Sequence, residues 1–157
     1  MNTLKKTALS AMTIALYFVL MYLTQSFAFY GIQIRIATGF YALSYVFPFL
    51  TLPLGIANAL SNILGGLGTL DIVGGFFAGI FTALLCALAE KLKKPILASL
   101  AILLVPSLTV SIWLSYLLSV PYHIMIVSVF SGQIVPAFFG YILIKVLDKR
   151  KVKKWIS

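Results

Sequence analysis

The chain has 157 residues, 62% of them hydrophobic and only 10% charged, with a mean hydropathy of +1.09 and a formal net charge of +9. A soluble domain carries about a quarter charged residues, so the composition excludes a soluble fold and indicates an integral membrane protein, read as a single transmembrane domain over residues 1–157. With one cysteine, one histidine and three acids, no disulfide framework, metal-ligand set or nucleophile and base pair can be drawn.

Lys5 and Lys6 precede the first apolar run, Ala8 to Leu23. Its length, and the lack of a clean small-x-small cleavage site after it, favour a membrane helix over a removed signal peptide. Ala8, Ala11 and Ala15 lie along it, and the last two have the small-xxx-small spacing that permits close helix packing. A loop from Gln25 follows, ending in Gln33, Ile34 and Arg35. Phe29, Tyr30, Tyr41, Tyr45 and Trp113 could stack on a planar ring near this end, or anchor at the membrane interface.

The next apolar region, Ile36 to Leu64, is the ambiguous one. As one straight helix it would run roughly 43 Å, longer than the hydrocarbon core. Pro48 and Pro53 each remove a backbone donor and disfavour helix at the residue before, which predicts two short spans. Charge placement agrees. With six spans, both termini and the Lys91 to Lys94 loop fall on the cytoplasmic side, as the positive-inside tendency requires; five spans would put two basic clusters outside. The expected fold is therefore all-α, with six transmembrane helices and cytoplasmic N and C termini. Basic residues that flank spans report orientation and attraction to anionic lipid, so the net charge is no sign of nucleic-acid binding.

Asn58 and Asn62, four apart, share one helix face. The loop after them, Asn-Ile-Leu-Gly-Gly-Leu-Gly-Thr-Leu-Asp, lacks the Gly-Lys-Ser/Thr of a phosphate loop, and no ATPase motif occurs elsewhere. Asp71 opens the fourth span, Ile72 to Ala89, where Gly75, Gly79, Ala83 and Ala87 form a ridge expected to make a close contact inside the bundle. Cys86 reads as a small packing residue. The fifth span is Ile96 to Leu118. The sixth, Ile124 to Leu147, begins after a head-group-level His123 and carries Gln133 beside Gly132.

Arg35 and Asp71 would be the only cation and the only acid on the outer side. Taken singly, Arg35 could snorkel to head groups and Asp71 could sit at a helix start. Taken together, Gln33, Arg35, Asn62 and Asp71 can reach one outward-facing vestibule, with Asn58 and Gln133 deeper. Polar groups at such depth mark binding sites. Carboxylate, guanidinium and amide groups together match a planar heterocycle with N–H donors on one edge and a carbonyl on another.

Three pieces in this order, Ile-Gln-Ile-Arg at Ile32 to Arg35, Asn-xx-Gly-Gly-Leu-Gly at Asn62 to Gly68, and Asp71 followed by Gly75, resemble the QueT family. QueT proteins are substrate-binding S-components of energy-coupling factor (ECF) transporters, associated with uptake of queuosine precursors, the 7-deazaguanines. The resemblance implies that Arg35, Asn62 and Asp71 contribute to ligand binding, and that Ala11 and Ala15 face a transmembrane coupling subunit. It also implies that two partner ATPases supply the energy, and that the chain itself is no enzyme and needs no cofactor. Two positions depart from the family pattern, Thr38 and Gln133, each standing where a glutamate is usual. That departure disfavours a cationic aminomethyl ligand. A partner-independent secondary transporter of a small heteroaromatic compound is the alternative, against which stand the absence of repeated broken helices and of a mid-depth acid. A structural membrane protein is a third reading.

Overall fold

The computed structural model describes residues 1–28 and 33–149, and these are helical almost throughout, with no strand among them. Helix α1, Thr3–Leu23, is capped by Asn2, whose side chain accepts from the Lys5 amide. The single turn α2, Gln25–Ala28, follows it. After an extended stretch through Gln33 to Arg35, the chain winds as a seven-residue 3-10 helix, Ile36–Ala42, and then as α3, Leu43–Val46. The expected first short span is thus mainly 3-10 and not α-helix. Thr38 starts it, since both its amide and its hydroxyl donate to the Arg35 carbonyl, at 2.9 and 2.7 Å.

The predicted break falls at Phe47 (φ −129°, ψ 81°), the residue before Pro48, where the proline ring forbids helix. Pro53 instead sits in the first turn of α4, Thr51–Asn62, where a missing N–H costs nothing. Short 3-10 turns, Pro48–Leu50 and Ile63–Gly65, extend α4 at both ends. Helices α5, Thr69–Lys91, α6, Pro95–Leu118, and α7, Tyr122–Lys149, complete the order. Among the described residues, five runs are long and apolar enough to cross a membrane, with Ile36–Val46 as a shorter apolar helix beside them. The result is a membrane helical bundle of about six helices.

Small residues decide how the helices approach. Gly55 on α4 meets α5 so closely that an added Cβ would lie 2.4 Å from Ile80 and 3.1 Å from the Phe76 carbonyl. A Cβ on Gly79 would lie 3.2 Å from the Gly55 Cα. Gly75, Gly79, Ala83 and Ala87 are all buried, so the predicted ridge is an internal contact. On α7, Gly132, Pro136 and Gly140 form a trough four residues apart in which the 33–42 segment lies. A Cβ on Gly132 would collide with the Gln33 carbonyl, and one on Gly140 would come within 3.2 Å of Ala42 and of the Gly39 carbonyl.

The outward face is apolar: Met12, Leu16, Phe77, Phe81, Leu104 and Ile112 are all exposed. The interior holds Arg35, Asn58, Asn62, Asp71 and Gln133, each at most 5% exposed. Lipid is as apolar as leucine, so outward leucines carry no penalty, and polar groups are satisfied by one another inside.

Candidate functional site

The polar interior is built from one face of each surrounding element. On α1 only Thr13, Tyr17 and Met21, four residues apart, are buried. Tyr17 reaches across to α4, where its hydroxyl donates to Asn58 Oδ1 at 3.1 Å. That proton is then committed, so Tyr41 Oη, 3.4 Å away, is the donor in the Tyr41–Tyr17 contact. Asn58 Nδ2 donates in turn to the Gly75 carbonyl of α5 at 2.7 Å. The chain of bonds Tyr41, Tyr17, Asn58, Gly75 therefore ties four elements together.

One turn along α4, Asn62 repeats the pattern. Its Nδ2 donates to the backbone carbonyl of Asp71 at 2.8 Å, and its Oδ1 accepts from the Arg35 guanidinium. The Asp71 carboxylate accepts from the Trp113 indole N–H at 2.9 Å. The Trp113 ring lies against Gly74, where any Cβ would stand within 3.0 Å of it. Arg35 is thus an interior group and does not snorkel to head groups. Asp71 is in the first turn of α5, where a negative charge is favoured, but it is buried and bonded rather than an exposed cap.

On the opposite wall the Gln133 side-chain amide lies 2.8 Å from Thr38 Oγ1, whose single proton is already turned to the Arg35 carbonyl. The two positions that stand in place of the expected glutamates therefore touch each other. Between the walls lies a narrow cavity of about 10 Å³, room for about one water. Gln33, Arg35, Thr38, Tyr41, Asn58 and Gln133 supply its polar lining, and Ala78, Pro106, Val110 and Val129 its apolar lining.

The six residues picked from sequence thus fall in two groups. Gln33, Arg35, Asn58 and Gln133 line the cavity, while Asn62 and Asp71 are outside its lining: Asn62 accepts from Arg35 and donates to the Asp71 backbone carbonyl. The expected open vestibule is instead a closed cavity, because the polar groups bond across it. Of the aromatic candidates, Tyr41 lines the cavity and Tyr45 is buried a turn away. Trp113 serves Asp71 from α6, whereas Phe29 and Tyr30 lie outside the described residues. Sequence reading missed Tyr17; its signal was the i, i+4, i+8 row Thr13, Tyr17, Met21. Ala8, Ala11 and Ala15 are all exposed on α1.

The QueT transporter family matches residues 7–149, nearly the whole chain. The chain belongs to the QueT transporter family. It is a multi-pass membrane protein and a transporter, which suits a bundle whose polar groups face inward. No curated protein and no solved structure matches this QueT chain.

Proposed function

We propose that this QueT chain is the substrate-binding S-component of an ECF-type importer, capturing a queuosine precursor or similar 7-deazaguanine-like heterocycle from outside. The carrying observation is the buried cavity whose lining combines one guanidinium with hydroxyl and amide groups. Small-molecule sites in membrane bundles have this character, with a few converging polar groups in an apolar shell. Arg35 is the natural partner of a ring carbonyl, and Gln33, Gln133 and Tyr41, which share the lining, would meet the rest of the ring.

In this reading the basic Lys5, Lys6 and Lys91 to Lys94 ends face the cytoplasm, and ligand enters from the end that carries Arg35 and Asp71. The exposed Ala8, Ala11 and Ala15 stripe offers the coupling subunit a surface without side-chain bulk. Two partner ATPases supply the energy, and this chain supplies affinity.

The test is thermal stabilisation of the detergent-purified protein by deazaguanines, guanine and B vitamins. A ligand at 100 times its dissociation constant stabilises by about 2.7 kcal/mol. Stabilisation of wild type by a deazaguanine, absent in Arg35→Ala, is expected. An Arg35→Ala protein that binds as well as wild type rejects the cavity as the site. For the partner, co-purification with a coupling subunit should be lost in Ala11→Leu/Ala15→Leu; uptake that persists without any ATPase and stops with an uncoupler rejects the ECF assignment.

A further inference from the structure

We propose that the seam between α5 and α6 binds one anionic phospholipid, with a fatty chain in its groove and the phosphate at Lys91, Lys93 and Lys94. Neither the ligand of the cavity nor the coupling partner bears on this site.

A groove of about 290 Å³ runs between the two helices from their connecting loop. Leu88 and Leu92 stand on one bank and Leu100 and Leu104 on the other, all exposed, while the small, buried Ala89 and Ala101 lie between them. From Leu97 to Val105, the stretch of α6 that lines the groove, the helix rises about 12 Å. That is most of the roughly 15 Å of hydrocarbon in one leaflet. The groove volume spread over this length gives a mean cross-section of about 24 Å². A helix about 10 Å across would need roughly 80 Å². The groove therefore suits a single hydrocarbon chain and not the helix of a partner protein.

At its loop end the groove opens beneath Lys91, Lys93 and Lys94, all exposed, so that three ammonium groups stand against the one carboxylate of Glu90. Lysine stems lie along apolar surface while their ends reach head-group level, where each favours an anionic lipid. The other described inner-end lysines are placed differently: Lys6 lies over the Phe49 ring and Lys145 over the Tyr141 ring, at 5.9 and 5.5 Å.

The backbone of the loop gives a second sign. The Lys93 amide donates to the Glu90 carbonyl at 2.8 Å and the Lys94 amide to the Ala89 carbonyl at 3.2 Å, the paired bonds of a Schellman turn. Lys93 is its left-handed residue, with φ +53°. Glycine ordinarily takes that place, because a Cβ is strained there. A lysine here costs the fold stability, and what it adds is a cation at the mouth of the groove.

Dioleoylphosphatidylglycerol and dioleoylphosphatidylcholine carry the same chains and differ in head-group charge. Each is titrated into the full-length protein in detergent, and bound lipid is counted by native mass spectrometry. Wild type is expected to bind one phosphatidylglycerol at least about tenfold more tightly than phosphatidylcholine. Lys93→Gly should weaken phosphatidylglycerol about fivefold and raise the melting temperature of the lipid-free protein, a pair of opposite changes that a merely structural lysine would not produce. Ala101→Leu, which fills the groove, should weaken both lipids. Lys5→Gln/Lys6→Gln should leave the preference unchanged. Equal binding of the two lipids by wild type overturns the proposal, as does an equal loss in Lys5→Gln/Lys6→Gln, which would mean diffuse attraction to surface charge. If Ala101→Leu does not fold, the lysine variants still decide.

Discussion

Tyr17 and Trp113 contribute one polar atom each to the interior, yet each decides the state of a neighbour. Tyr17→Phe removes the donor to Asn58 and should lower stability by about 0.6 kcal/mol, the average for a hydrogen bond between membrane helices. Asn58→Ala strands both the Tyr17 hydroxyl and the Gly75 carbonyl and should cost more, about 1–3 kcal/mol. Denaturant titration of the two proteins in the same detergent checks the order, and equal losses would show that the Tyr17 bond carries the whole effect. Trp113→Phe leaves the Asp71 carboxylate without its indole donor. We expect weakened ligand binding although Trp113 is not in the cavity lining, because Trp113 fixes Asp71, whose backbone carbonyl anchors Asn62, the acceptor of the Arg35 guanidinium. Unchanged affinity would show that Arg35 is held without them.

Glycines on α5 and α7 set what each element can touch. Gly132→Ala would push its new Cβ to about 2.1 Å from the Gln33 carbonyl, a backbone atom that cannot swing aside. The 33–35 stretch must move, so both stability, by about 1–3 kcal/mol, and ligand affinity should fall. Gly66 is the comparison: its φ is +66° with nothing within 4 Å. There Gly66→Ala costs about 1–2 kcal/mol for the left-handed backbone but leaves the cavity walls in place, so affinity should be retained. Thermal shift with and without ligand separates the two. The order of elements was legible because Pro48 acts on its own neighbour, Phe47, a local effect. The four-residue spacing of Asn58 and Asn62 placed them on one face for the same reason. The 3-10 winding of Ile36–Ala42 was not legible, since it depends on the α7 trough, and nothing near residue 36 announces Gly132 or Gly140. Nor was the Thr38–Gln133 bond, which joins residues that sequence reading had noted separately.

The whole bundle inverts the soluble pattern, with leucine and phenylalanine outside and amides inside. Hydropathy alone therefore revealed the membrane class, whereas the closed state of the cavity depends on contacts across four elements and left no trace in composition. Orientation is the property at this scale still open to direct measurement. With Cys86 buried, an introduced Leu67→Cys should react with an impermeant maleimide from outside intact cells. Lys93→Cys should react only after permeabilisation, and the reverse pattern would invert the proposed topology. The 3-10 stretch has one further consequence. Seven residues rise about 2.0 Å each in this winding and about 1.5 Å each in an α-helix. Ligand-dependent amide exchange over Ala37 to Ala42 would reveal a change of winding, and unaltered exchange would mark the stretch as a fixed strut. Rewound as α-helix, those residues would make a spring shortened by about 3.5 Å and turned by roughly 140° from one end to the other.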